Sequence, residues 1–149
     1  MEQKSTKYLY ESFLKLVEKY GFFKSTEFNE EGAYSIEYRS DTFVIKLQQY
    51  FQQFYVTLYK TGHPDNGVNL FNLLNYLNKD SSSLAKSRFF EEEKDLDERY
   101  KKQFNYVVDT IDENFSIINE FLKSGNYESK MAEIEKFMIN KYPNTFKSK

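Results

Sequence analysis

Between Tyr34 and Lys60 apolar and polar residues alternate, and the alternation twice changes phase. Tyr34, Ile36 and Tyr38 fall on even positions, Phe43, Ile45 and Leu47 on odd ones, and Phe54, Val56 and Leu58 on even ones again. Successive side chains of a strand point to opposite faces, so a phase change within one strand throws its apolar set onto the wrong side. Two reversals of the chain bring all three sets back to one face. The second reversal is hidden, because IKLQQYFQQFYVTLYK (45–60) contains no Gly, Pro, Asn or Asp to mark a turn. A helical reading collects Phe43, Leu47, Tyr50, Phe51, Phe54 and Leu58 on one stripe but strands Val44, Ile45, Tyr55, Val56 and Tyr59 elsewhere. β-Branched and aromatic residues at both ends of the stretch favour strands.

The pattern therefore predicts a three-stranded antiparallel meander. A two-residue loop at Ser40-Asp41 sets Tyr38 opposite Phe43, Ile36 opposite Ile45 and Tyr34 opposite Leu47. A turn over QYFQ (49–52) sets Leu47 opposite Phe54, Ile45 opposite Val56 and Phe43 opposite Leu58. The outer, wet face then carries Ser35, Glu37, Arg39, Lys46, Gln48, Tyr55, Thr57 and Tyr59.

Helices flank this sheet. Leu9, Phe13, Leu16, Val17 and Tyr20 form a stripe over 7–20, with Ser5 or Thr6 as N-cap and Gly21 as the stop. FFKSTEFNEEG (22–32) reads as a connection, and TGHPDNG (61–67) as a loop. A short helix over 68–78 points Leu70, Phe71, Leu74 and Leu77 inward, with Asn69, Asn72, Asn75 and Asn78 as a polar flank. Residues 79–83 read as a flexible joint and 84–94 as a helix. A long helix near 95–123 has core positions Leu96, Tyr100, Phe104, Val107, Ile111, Phe115, Ile118 and Leu122, which repeat after eleven residues. A final helix packs through Tyr127, Met131, Ile134, Phe137 and Met138 and stops before Pro143. The expected architecture over 1–149 is a single α+β domain, ordered α-β-β-β-α-α-α, with the helices packed on one face of the meander.

Composition narrows the function classes. Cysteine is absent, which removes disulfides, thiolate metal sites and thiol nucleophiles together. The one histidine, His63, sits in a turn sequence without further ligands at metal-site spacing, so no metal and no cofactor is expected. No phosphate-binding or dinucleotide-binding glycine loop and no nucleophile-elbow motif is present. A net charge of −2 gives no field that attracts nucleic acid or anionic lipid. No apolar run approaches a membrane span, and MEQKSTKYLY lacks a signal-peptide pattern, so a cytoplasmic protein is expected. The 13 Tyr and 15 Phe make an aromatic core ringed by half-buried tyrosines the natural outcome.

Two surfaces stand out as candidate protein-binding sites. Tyr50 and Phe51 lie in the QYFQ turn with no strand to cover them, so they either bury sideways against the long helix or stand exposed as binding anchors. Tyr55 and Tyr59 on the outer sheet face extend that surface. The second is EEEKDLDE (91–98), whose Glu91, Glu92, Glu93, Asp95, Asp97 and Glu98 either start the long helix favourably or form an acidic patch for a basic partner.

EKYGFF followed by the meander YSIEYRSDTFVIKLQQYFQQFYVTLYK and then helices resembles small bacterial proteins that include immunity partners of secreted polymorphic toxins. The resemblance spans the first half of the chain. It implies a non-catalytic protein that neutralises a toxin by covering it, with an acidic contact face of the kind EEEKDLDE supplies, and it transfers no residue by position. Two other classes stand beside it. One is a small-molecule binder with a pocket between sheet and long helix lined by Tyr34, Tyr38, Tyr100 and Phe104, and the other is an enzyme using paired carboxylates.

Overall fold

A computed structural model describes residues 5–30, 33–78, 85–125 and 127–141. The elements are α1 (Ser5–Tyr20), β1 (Phe23–Glu30), β2 (Ala33–Arg39), β3 (Phe43–Tyr50), β4 (Gln53–Lys60), β5 (Val68–Asn69), α2 (Leu70–Leu77), α3 (Leu96–Glu113), α4 (Phe115–Lys123) and α5 (Tyr127–Lys141). The sheet has five antiparallel strands in the order β1-β2-β3-β4-β5. The class is α+β, but the three expected strands are the middle of a wider meander.

The phase argument holds for every residue it used. Tyr34, Ile36, Tyr38, Phe43, Ile45, Leu47, Phe54, Val56 and Leu58 are all buried on one face, against α1 and α3. Phe13 of α1 stacks on Tyr38 at 4.6 Å between ring centroids, and Phe54 meets Phe104 of α3 edge-on at 4.7 Å. The register differs from expectation by two residues at both hairpins. Tyr38 faces Ile45 and Ile36 faces Leu47, while Ile45 faces Leu58 and Leu47 faces Val56. A slip of two preserves the faces and moves only the turns. At the first turn the Ser40 amide donates to the Phe43 carbonyl at 3.0 Å and its hydroxyl accepts the Thr42 and Phe43 amides (3.3 and 3.2 Å), which moves the turn by one residue, to Asp41-Thr42.

Further expectations are corrected. The connection after Gly21 is an eight-residue edge strand, β1, exposed along its whole length. The segment 85–95 is irregular where a helix was predicted. Asn75 clips it at Ala85 with both ends of its amide (2.7 and 3.0 Å), Tyr106 donates to the Lys86 carbonyl, and Arg99 donates to that of Phe89. Asn75 is thus a buried brace, while Asn69 caps α2 by accepting the Phe71 and Asn72 amides. The predicted long helix breaks at Asn114, whose φ of −113° and ψ of 13° leave the helical well and whose side-chain amide donates to the Thr110 carbonyl at 2.8 Å. The break lets Phe115 stack flat on Tyr20, 3.7 Å between centroids, and meet Phe22 and Phe43. Leu96, an expected core position, is exposed. The predicted joint at 79–83 and the stop before Pro143 lie outside the described residues.

Gly21 ends α1 as expected, at φ +76° with its amide donating to the Val17 carbonyl. A polar seam joins α1 to α3: Ser12 to Asn105, Lys15 to Asp109, and Lys19 with Tyr20 to Asp112. Among the described residues no helix is long and apolar enough to cross a membrane.

Candidate functional site: a strained aromatic tip beside the acidic segment

The second reversal is a two-residue turn, Phe51-Gln52, with Tyr50 paired to Gln53. Tight hairpin turns of this length need φ above zero at the first central residue, the reason Gly, Asn or Asp dominates there. Phe51 occupies that position at φ +55°. A bulky L-residue in this region is an outlier. The sheet could not mark its own turn in the sequence because the residue at the critical position is the wrong type for it.

Both tip aromatics face solvent. Tyr50 is 62% exposed and Phe51 71%, so neither buries against α3. Their rings meet edge-on at 4.7 Å, which gives the tip a preset shape. The glutamines around it brace the backbone. The Gln49 side chain donates to the Phe51 carbonyl at 2.7 Å. Gln103, fully buried on α3, donates to the Gln52 carbonyl at 2.8 Å and accepts from the Phe54 amide at 3.0 Å. One side chain thus clamps both sides of the turn. Sequence reasoning placed no role on Gln103; a polar residue inside the apolar frame of α3, flanked by Tyr100, Phe104 and Val107, was the available signal.

Tyr55 is exposed beside this tip, its hydroxyl donating to Gln53 and its ring 5.1 Å from that of Phe89. Phe89 lies two residues before the acidic segment, so Tyr55 of the first candidate touches the chain that leads into the second. Phe90 is the second anomaly, at φ +51°, with the Arg88 guanidinium 4.3 Å from its ring centre. Among the described residues Phe51 and Phe90 are the two non-glycines with positive φ, and both belong to this site.

The acids divide by role. Asp95 caps α3 by accepting the Glu98 amide, and Glu93 accepts the Asp95 amide and Lys102. The bond from Lys102, with the backbone amides, holds the Glu93 carboxyl below its usual range. Glu98 pairs with Lys101, and Asp97 sits beside the Tyr8 hydroxyl; desolvation, then the Asp97 carboxylate, raises the Tyr8 pKa. Glu91 and Glu92 remain exposed outside these contacts. The site's disposable negative charge is therefore Glu91 and Glu92, and the other four acids build the helix start.

Tyr59 leaves the candidate surface. It is buried on the outer face opposite Val44, and its hydroxyl donates to Glu37 at 2.7 Å. Burial, then the Glu37 carboxylate, pushes it up to about 12. Parity put Tyr59 on the outer face correctly, but the side chain is buried there, beside Val44 and bonded to Glu37. Tyr34, Tyr38, Tyr100 and Phe104, the proposed pocket lining, pack into the core. A groove of about 470 Å³ lies elsewhere, between the start of α2 and α5.

Comparison with protein families, curated proteins and solved structures finds no match to this chain.

Proposed function

We propose that the protein is a non-catalytic binding module that engages another protein through the Tyr50-Phe51 tip, with Tyr55 beside it and Glu91 and Glu92 at its flank. The observation that carries this reading is the pairing of strain with exposure. A left-handed Phe costs about 1–2 kcal/mol, and a solvent-exposed turn offers no packing that explains it. Glycine at that position has no such strain and no aromatic face. Aromatic side chains held rigidly on a hairpin make efficient binding anchors, because little side-chain freedom remains to be lost on docking.

The partner's complementary surface is basic around an apolar recess. The recess takes the aromatic pair, and the basic rim meets Glu91 and Glu92, which speeds encounter and makes it salt-sensitive. In the immunity-type form of this reading the partner is a toxin domain and the module works by occlusion. Co-expression with the product of a neighbouring toxin-domain gene tests it. The native chain co-purifies with that product and suppresses its toxicity. The variant with Tyr50→Ser and Phe51→Ser folds but does neither. A folded double variant that keeps the partner removes the tip from the interface.

A further inference from the structure

β1 is the outer strand of the sheet, and its far edge faces solvent along eight residues. A bulge at Ser25 shifts the register between Lys24 and Thr26. The bulge has a consequence for the side chains. Phe23 pairs with Arg39 and Phe28 with Ser35, so both phenylalanines lie on the same outer face although they are five residues apart. They are 54% and 44% exposed. Lys24 and Glu27, opposite Tyr38 and Ile36, both lie on the inner face, where they pair with each other at 3.0 Å.

We propose that this edge joins two copies of the chain, antiparallel, about a two-fold axis at Thr26. One register sets complementary side chains opposite one another. Thr26 faces Thr26 of the second copy, Phe23 faces its Phe28, and the Lys24–Glu27 pairs of the two chains lie side by side with opposite charges adjacent. Each chain then contributes one Lys–Glu pair and one Phe–Phe pair in each direction, the self-complementarity that a two-fold interface requires. A shift by one pair in the direction that centres the axis on Glu27 sets two carboxylates face to face. Both sheets continue into one ten-stranded sheet with the helices on the same side. α1 lies over this edge: Tyr10 donates to Glu27 at 2.6 Å, and Leu14, one turn on along the same side, is 52% exposed. In the pair the two α1 helices run beside each other and cover these residues. An unprotected edge of this length is otherwise a route to open-ended aggregation, which the two-fold closes.

The test uses Thr26, which is exposed. Sedimentation equilibrium of the native chain from about 1 to about 200 μM is expected to show a concentration-dependent rise from the 17.9 kDa chain towards twice that mass. Thr26→Asp and Thr26→Lys each set like charges face to face and weaken self-association about 5-fold or more. An equimolar mixture of the two variants restores it, because Asp then faces Lys across the axis. In cis Thr26 is opposite Glu37, and that contact is the same in mixed and unmixed samples, so it cannot produce the rescue. A native chain that stays monomeric over the whole range overturns the proposal. So does a dimer indifferent to both substitutions, or one that the mixture does not restore. No partner protein enters the measurement, so its outcome is independent of the tip's role.

Discussion

Replacing Phe51 separates the stability of the tip from its function. At φ +55° an L-residue is strained by about 1–2 kcal/mol relative to glycine, and glycine loses about 0.5–1 kcal/mol more chain entropy on folding. The difference leaves Phe51→Gly more stable than Phe51→Ala by up to about 1.5 kcal/mol. Both variants lose the same ring and the same edge-on contact with Tyr50, so the comparison isolates the backbone. In a chain of this size about 1 kcal/mol corresponds to roughly 2–4 °C in Tm. Thermal unfolding followed by circular dichroism, with urea midpoints as a second measure, reads the difference. Partner capture is expected to fail equally for both variants. In an ordinary strand the order reverses, because glycine there is the poorer residue. Ala above Gly in stability, the order of an ordinary strand, refutes the strained turn and, with it, the main reason for assigning the tip a role.

Gln103→Leu leaves the Phe54 amide and the Gln52 carbonyl without their clamp, which destabilises the fold by about 2 kcal/mol or more in urea denaturation. Faster hydrogen exchange at the Phe54 amide locates the effect. Asn75→Leu removes both bonds to Ala85 and lowers stability by about 1–3 kcal/mol, with faster exchange confined first to 85–95. Asp112 gives a pH signature. Bonds from Lys19 and Tyr20, outweighing partial desolvation, hold its carboxyl well below the usual range. A depressed folded-state pKa contributes stability that is present above the unfolded value, about 4, and is lost as pH falls towards the folded one. Asp112→Asn is therefore less stable than the native chain at neutral pH, and the gap narrows below about pH 4. A gap that stays constant from neutral pH into acid contradicts the pairing with α1.

The faces of the sheet were readable from sequence and the turns were not, for one physical reason. Alternation reports side-chain parity, and parity survives a slip of two residues. Turn chemistry then decides between registers of equal parity, and both turns here use unusual means. Ser40 closes one with its side chain, one residue later than expected, and Phe51 closes the other in a backbone region that residue type gives no reason to expect. β1 escaped notice because its bulge breaks the alternation and neither of its faces is buried, so no periodic signal exists. The break in the long helix is similarly silent. The eleven-residue repeat continues across Asn114, since the kink redirects Phe115 without removing it from the core side.

The candidate site shows the same division between composition and conformation. Tyr50, Phe51 and the acidic run were selectable as residues, but the links between the two stretches are Phe89 turning onto Tyr55 and Gln103 of α3 reaching Gln52. Those are tertiary contacts between stretches that carry no shared pattern. The same contacts explain why the acids are unequal. Capping and pairing hold Glu93, Asp95 and Glu98 in the scaffold, and Asp97 sits beside Tyr8. Reversing charge at Glu91 and Glu92 should therefore slow association with a basic partner and leave folding intact. Removing Asp95 should weaken the start of α3 by about 1 kcal/mol and affect binding only through that loss. Equal effects of the two changes on association rate, at equal stability, would mean that the whole run meets the partner and that its division into scaffold and surface is wrong.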